Sequence, residues 1–309
     1  MDEQRSSVVA GVSRTRTAVS ERVVLWAADE AASRGLPLCL LHAQEWPRGA
    51  APHVGPDHPS YAWSRHYLTT GRVLLEEERR AVLARYPALE VNTQLAAGRP
   101  VHVLREAGER AALLVVGARK LSGLQGSLSD GGKGEALLGH LPCPLALIPE
   151  APGTTETVHA PEAAQAPGAG VDTPPDAPVV VGVDGSAASQ AAVGLAFAEA
   201  AAAKAPLVAV RVCRPREAAW PDFPERAEPE LSGELAGHRE QYPDTEVRYE
   251  VLIGDPAHML SSAARYARCL VVGTRGQGGF RGMLLGSTSR SLVHRTYCPL
   301  LVTPPPDGR

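Results

Sequence analysis

The chain has 309 residues, 44% of them hydrophobic and 21% charged, enough for about two domains with ordinary cores. A formal net charge of −3 argues against a general role on nucleic acid or at a membrane surface. No apolar stretch approaches bilayer-spanning length, and MDEQRSSVVAG has no basic region leading into an apolar core, so neither a membrane span nor an export signal is expected.

In chain order, the first β-rich run is VVAGVSRT (8–15), and PLCLLH (37–42) is the next. GRPVHVLREAGERAALLVVG (98–117) and PCPLALIP (142–149) follow. All four return later in the same order, as VVVGVDGS (179–186), PLVAVR (206–211), GDPAHMLSSAARYARCLVVG (254–273) and YCPLLVTP (297–304). Ten of the twenty aligned positions of the longest pair are identical without a gap, so the chain is a duplicated domain. Between the copies, EAPGTTETVHAPEAAQAPGAGVDTPPDAP lacks hydrophobic periodicity and is heavy in Pro, Ala and Gly, as expected of a semi-extended linker. The expected domains are 1–149 and 178–309, with the linker at 150–177.

The second copy alternates strand and helix. VVVGVD is a strand, and a helix follows from Ser186 or Ser189, with Val193, Ala196, Phe197 and Ala200 at helical spacing. PLVAVRV is the next strand, residues 215–243 are polar and Pro-rich with a helical portion, and EVRYEVLIG is the third strand. Asp255 and Pro256 supply an N-cap and a first-turn proline for a helix with a stripe of Leu260, Ala263, Ala264 and Ala267. CLVVG, a glycine-rich loop, a last helix from Ser287 and PLLVT complete the copy. Apolar strands alternating with helices predict an α/β fold: two tandem doubly wound domains, each a parallel sheet covered on both faces.

In such sheets ligands bind beyond the carboxyl ends of the strands. That places Asp184, after the first strand, near GTRGQGGFRGMLLGSTSRS (273–291). Gly273, Gly276, Gly278, Gly279 and Gly282 let a backbone approach an anion closely, and Gly286, Ser287 and Thr288 deliver it to a helix N-terminus. The bland alternative is a turn closing around nothing, with Ser287 as a helix cap. No G-x-G-x-x-G is present, GGKGE (131–135) lacks the rest of a P-loop, and there is no G-x-S-x-G elbow. Dehydrogenase, NTPase and hydrolase readings therefore weaken.

Gly273-x2-Gly276-x9-Gly286-Ser287 resembles the nucleotide motif of the universal stress protein family, and VGVDGS and CPLLV resemble that family's first and last strands. The resemblance covers both halves. It implies five-stranded, Rossmann-like domains of the adenine nucleotide α-hydrolase type that bind adenine nucleotide, usually ATP with Mg²⁺. By that resemblance Asp184 and Val212 lie at the adenosine end, and Gly273, Gly276, Gly286, Ser287 and Thr288 wrap ribose and phosphates. Arg275 and Arg281 are either phosphate partners or solvated loop charges. Family members resemble dimers joined through their last strands, so PLALI (144–148) and PLLVT (299–303) are expected to pair within the chain. A homodimer and a regulatory protein partner are left open.

The first copy departs from this pattern. Ser13 stands at the position of Asp184 and Lys120 at that of Gly276, and Gly131 and Gly132 match Gly286 and Ser287 only with one inserted residue. The first domain is therefore expected to be degenerate, with nucleotide held mainly by the second; the alternative is that Lys120 or Lys133 neutralises phosphate in another pose. His102 and His258 occupy equivalent places, where packing or capping is expected. Cys143 and Cys298 are equivalent small buried hydrophobes. With Cys39, Cys213 and Cys269 they form no C-x-x-C pair, which disfavours a metal cluster or disulfide framework and fits a reducing cytoplasm.

The expected function is an ATP-binding stress-response regulator or sensor. The alternatives are a slow ATPase or nucleotidyl or phosphoryl transferase, and a nucleotide-free scaffold. No catalytic residue and no protein metal ligand is assigned, since no positioned base or nucleophile is visible beside the loop.

Overall fold

The structure, a computed structural model, describes residues 7–15, 17–46, 55–118, 137–150, 174, 176–215, 223–276 and 286–304. They fall into two compact units, Met1–Gly117 and Ala118–Arg309.

In the first unit, β1 (Ser7–Gly11), α1 (Ala18–Arg34), β2 (Leu38–Gln44), α2 (Tyr61–Arg85), β3 (Val91–Ala97), α3 (Pro100–Gly108) and β4 (Ala111–Gly117) alternate along the chain. The strands lie in the order β3-β2-β1-β4, all parallel. α1 starts at a reciprocal cap: Thr17 Oγ1 accepts from the Ser20 N–H, and the Ser20 hydroxyl accepts from the Thr17 N–H. It stops at Gly35, whose φ of 62° is open to a residue without Cβ.

The second unit holds β5 (Leu145–Ile148), β6 (Val179–Gly182), α4 (Ala187–Ala203), β7 (Leu207–Cys213), α5 (Phe223–Gln241), β8 (Val247–Ile253), α6 (Pro256–Ala263), β9 (Cys269–Val272), α7 (Ser287–Val293) and β10 (Leu300–Val302). Their order is β5-β10-β9-β6-β7-β8. β10, β9, β6, β7 and β8 run parallel, whereas β5 pairs antiparallel with β10, Leu147 opposite Leu300 and Leu145 opposite Val302. PLALI and PLLVT thus meet, and the strand that the repeat places at the end of the first copy lies in the second compact unit.

Burial explains why these runs are strands. Every residue of CLVV and of LLV is buried, as a sheet covered on both faces requires, while edge strand β8 alternates half-buried and exposed positions. α4 is alanine-rich and starts at Ser186, whose Oγ accepts from the Ser189 N–H at 3.2 Å. Its stripe of Ala192, Val193, Ala196, Phe197 and Ala200 is fully buried, and His238 of α5 and Tyr242 just beyond that helix stack on Phe197. α6 is shorter than its apolar stripe suggests: it ends at Ala263, and Ala264 and Ala267 are buried beyond it. Among the described residues no helix is long and apolar enough to cross a membrane.

Candidate functional site

The second unit builds its site where β6, β7, β8 and β9 end. After β6 the chain passes Val183 and Asp184 and turns at Gly185, at φ 77°. Asp184 is held at both ends: its N–H donates to Ser189 Oγ at 3.4 Å, and its Oδ1 accepts the Ser186 N–H at 3.1 Å. The Ser186 hydroxyl, while capping α4, donates to the Arg275 carbonyl at 3.3 Å and ties this turn to the loop after β9.

That loop enters through a tight passage. A Cβ on Gly273 would lie 2.7 Å from the carbonyl carbon and oxygen of Ala188, so only glycine fits there. A Cβ on Gly276 would overlap Asp184 Oδ2. The Gly286 N–H donates to the Thr274 carbonyl at 2.8 Å, and Ser289 Oγ donates to the Gly273 carbonyl at 2.7 Å, so both ends of the loop are fastened together. Gly278, Gly279, Arg281 and Gly282 lie outside the described residues.

Gly286 is the N-cap of α7, and no side chain caps that helix. Ser287 is therefore the first helical residue rather than its cap. α7 has only seven residues, so its dipole is a weaker source of positive potential than a longer helix would provide. Ser287, Thr288 and Ser291 form one wall of a cleft of about 370 Å³. Arg214 and Pro215, after β7, form the second wall, and Gly254, Asp255, Pro256 and Ala257, between β8 and α6, form the third.

The structure thus brings Asp184 to Gly276, and Ser287 and Thr288 into a cleft, with Gly273 and Gly286 as the fastened ends between them. Val212 is half-buried near the end of β7, two positions before Arg214, and is not part of the cleft lining. Arg275 is half-buried and reaches the site through its main chain. Arg214 went unnoticed in the sequence, and Asp255 was legible only as a cap. The available signal was that each lies within two residues of the end of a parallel strand. Among the described residues no group of three or more His, Cys, Asp or Glu could hold a metal ion.

In the first unit Ser13, the counterpart of Asp184, is exposed after β1, while Lys120, Gly131, Gly132 and Lys133 lie outside the described residues. His102 and His258 are both exposed, and the latter's main-chain N–H donates to the capping Asp255 Oδ1 at 2.9 Å. Cys143 and Cys298 are each 1% exposed, in keeping with apolar packing.

Residues 6–149 and 177–304 each match the universal stress protein family. The chain belongs to that family. It is 31% identical over 295 residues to universal stress protein Rv2623 of Mycobacterium tuberculosis, covering 90% of both chains. It is 30% identical over 327 residues to universal stress protein Mb2028c of Mycobacterium bovis, covering 97% of both. A universal stress protein from Archaeoglobus fulgidus shares the fold, with a TM-score of 0.68 at 18% identity over 99% of this chain and 98% of that one. This is a tandem universal stress protein with Rossmann-like domains.

Proposed function

We propose that the second domain, residues 178–309, binds an adenine nucleotide, ATP with Mg²⁺, and that the bound nucleotide governs a regulatory contact under stress. The observation that carries this reading is the fastening of the β9–α7 loop: Gly276 lies against Asp184, and the chain returns at Gly286 to aim Ser287 and Thr288 into a cleft. Asp184 and Val212 are assigned to the adenosine end, and Gly273, Gly276, Gly286, Ser287 and Thr288 to ribose and phosphates. Mg²⁺ would arrive with the nucleotide and take its oxygens chiefly from phosphate and water, as this ion commonly does.

Binding rather than efficient turnover is supported by the chemistry of the lining. Among the described residues it offers hydroxyls, a guanidinium and main-chain groups, but no histidine or cysteine. Slow hydrolysis is favoured by one observation, the Asp255 carboxylate in the same cleft as Ser287 and Thr288. The first domain, residues 1–149, is assigned a structural role, with 150–177 as the linker.

The test is nucleotide content and affinity of the purified protein beside Gly276→Lys, which copies the first domain's residue. About one ATP per chain in the wild type and none in the variant supports the reading. About two per chain would place a site in the first domain, and no binding would leave a scaffold.

A further inference from the structure

The two units place opposite charges at one equivalent pair of positions. The main chain establishes the equivalence: the Gly98 N–H donates to the Gln44 carbonyl at 3.0 Å, and the Gly254 N–H donates to the Cys213 carbonyl at 3.0 Å. β2 pairs with β3 in the register in which β7 pairs with β8, Leu38 opposite Val91 and Leu207 opposite Val247. The residues just beyond these bonds are Glu45 and Arg99 in the first unit and Arg214 and Asp255 in the second. The acid and the base have changed places.

A structural pair alone would tolerate either arrangement. Arg99 Nε lies 4.0 Å from Glu45 Oε1, with side chains 73% and 62% exposed, and a pair so solvated adds little stability. What the swap does change is the sign of the charge beyond the second strand of each unit. In the second unit that charge is Arg214, which shares the cleft with the hydroxyls of Ser287 and Thr288 and is the only Lys or Arg among the described residues of its lining. Asp255 is fixed on the other wall, accepting the His258 N–H at 2.9 Å. A guanidinium facing hydroxyl donors is a donor set for phosphate oxygens, which Arg can engage with two N–H groups at once.

We infer that Arg214 is the phosphate-engaging cation of this cleft. The inference rests on the nucleotide reading above and deepens it: the second domain selects ligands by their phosphates, through a side chain outside the glycine loop.

The experiment titrates ATP and adenosine into the full-length wild type, Arg214→Ala, and the double variant Arg214→Glu/Asp255→Arg, with thermal melts of each. Loss of charge-assisted hydrogen bonds should weaken ATP binding about tenfold to a hundredfold in Arg214→Ala and leave adenosine binding unchanged. The double variant keeps the same balance of charge in the cleft lining, so it should melt with the wild type and still lose ATP affinity. Retention of ATP affinity in either variant, or equal losses for ATP and adenosine, overturns the inference while the nucleotide reading stands. A wild type that binds neither ligand overturns both.

Discussion

Gly276 and Asp184 sit so close that the glycine has no room for a Cβ: it would overlap Asp184 Oδ2. The carboxylate cannot simply yield, because its other oxygen accepts the Ser186 N–H and Ser186 in turn holds the Arg275 carbonyl. Gly276→Ala should displace the Asp184 side chain and loosen the loop without unfolding the exposed turn. Isothermal titration should show ATP affinity reduced about tenfold or more, and circular dichroism an unchanged secondary structure.

Gly273 and Gly286 separate architecture from site. At Gly273 a Cβ meets main-chain atoms of Ala188 at 2.7 Å, and backbone cannot rotate aside. Gly273→Ala should therefore cost about 1–3 kcal/mol, as overpacking does, and lower the melting temperature by several degrees. Gly286 has a φ of −75° and nothing nearer its Cβ position than 3.6 Å. Gly286→Ala should cost under about 1 kcal/mol, a difference that parallel thermal melts will resolve.

Burial pushes the Cys298 thiol from the ordinary 9.0 up to about 12. The thiol stays neutral in the native state while an unfolded chain ionises it. The stability it contributes is complete below pH 9.0 and is lost as pH rises towards 12. Urea unfolding across that range should show stability falling with pH, and Cys298→Ala should flatten the slope. At neutral pH the native protein should react with a thiol reagent first at half-buried Cys39, since Cys143, Cys213, Cys269 and Cys298 are buried.

The β5–β10 pair is apolar and fully buried on both strands. Leu300, opposite Leu147, is 0% exposed. Leu300→Ala should cost about 2–5 kcal/mol, measurable by chemical denaturation, because the surrounding strands leave little room for collapse. Val73, 50% exposed on α2, serves as a control, and its replacement by Ala should change stability by no more than about 0.5 kcal/mol.

Much of the fold was legible because local rules decide it. The helix that follows VVVGVD, the Asp255–Pro256 start of α6 and the buried CLVV and LLV strands each follow from residues within a few positions of one another, whereas the choice of Ser186 over Ser189 as the start of α4 came from the structure. The duplication supplied the rest, since two copies in one order fix the element sequence. The partnership of PLALI with PLLVT was also legible, because the family resemblance implies pairing through the last strands; its antiparallel register was not.

What sequence alone determined, then, is the duplicated α/β plan, the glycine loop and the acidic residue that leaves the first strand of the second copy. Tertiary structure alone decided which of these touch. Gly276 and Asp184 are ninety-two positions apart, and only the parallel order of β6 beside β9 brings them into contact. Arg214, Asp255 and Ser287 share a cleft because β7 and β8 end, and α7 begins, beside it. Periodicity reports the face a residue occupies on its own element, whereas these contacts depend on strand order, which no local pattern encodes.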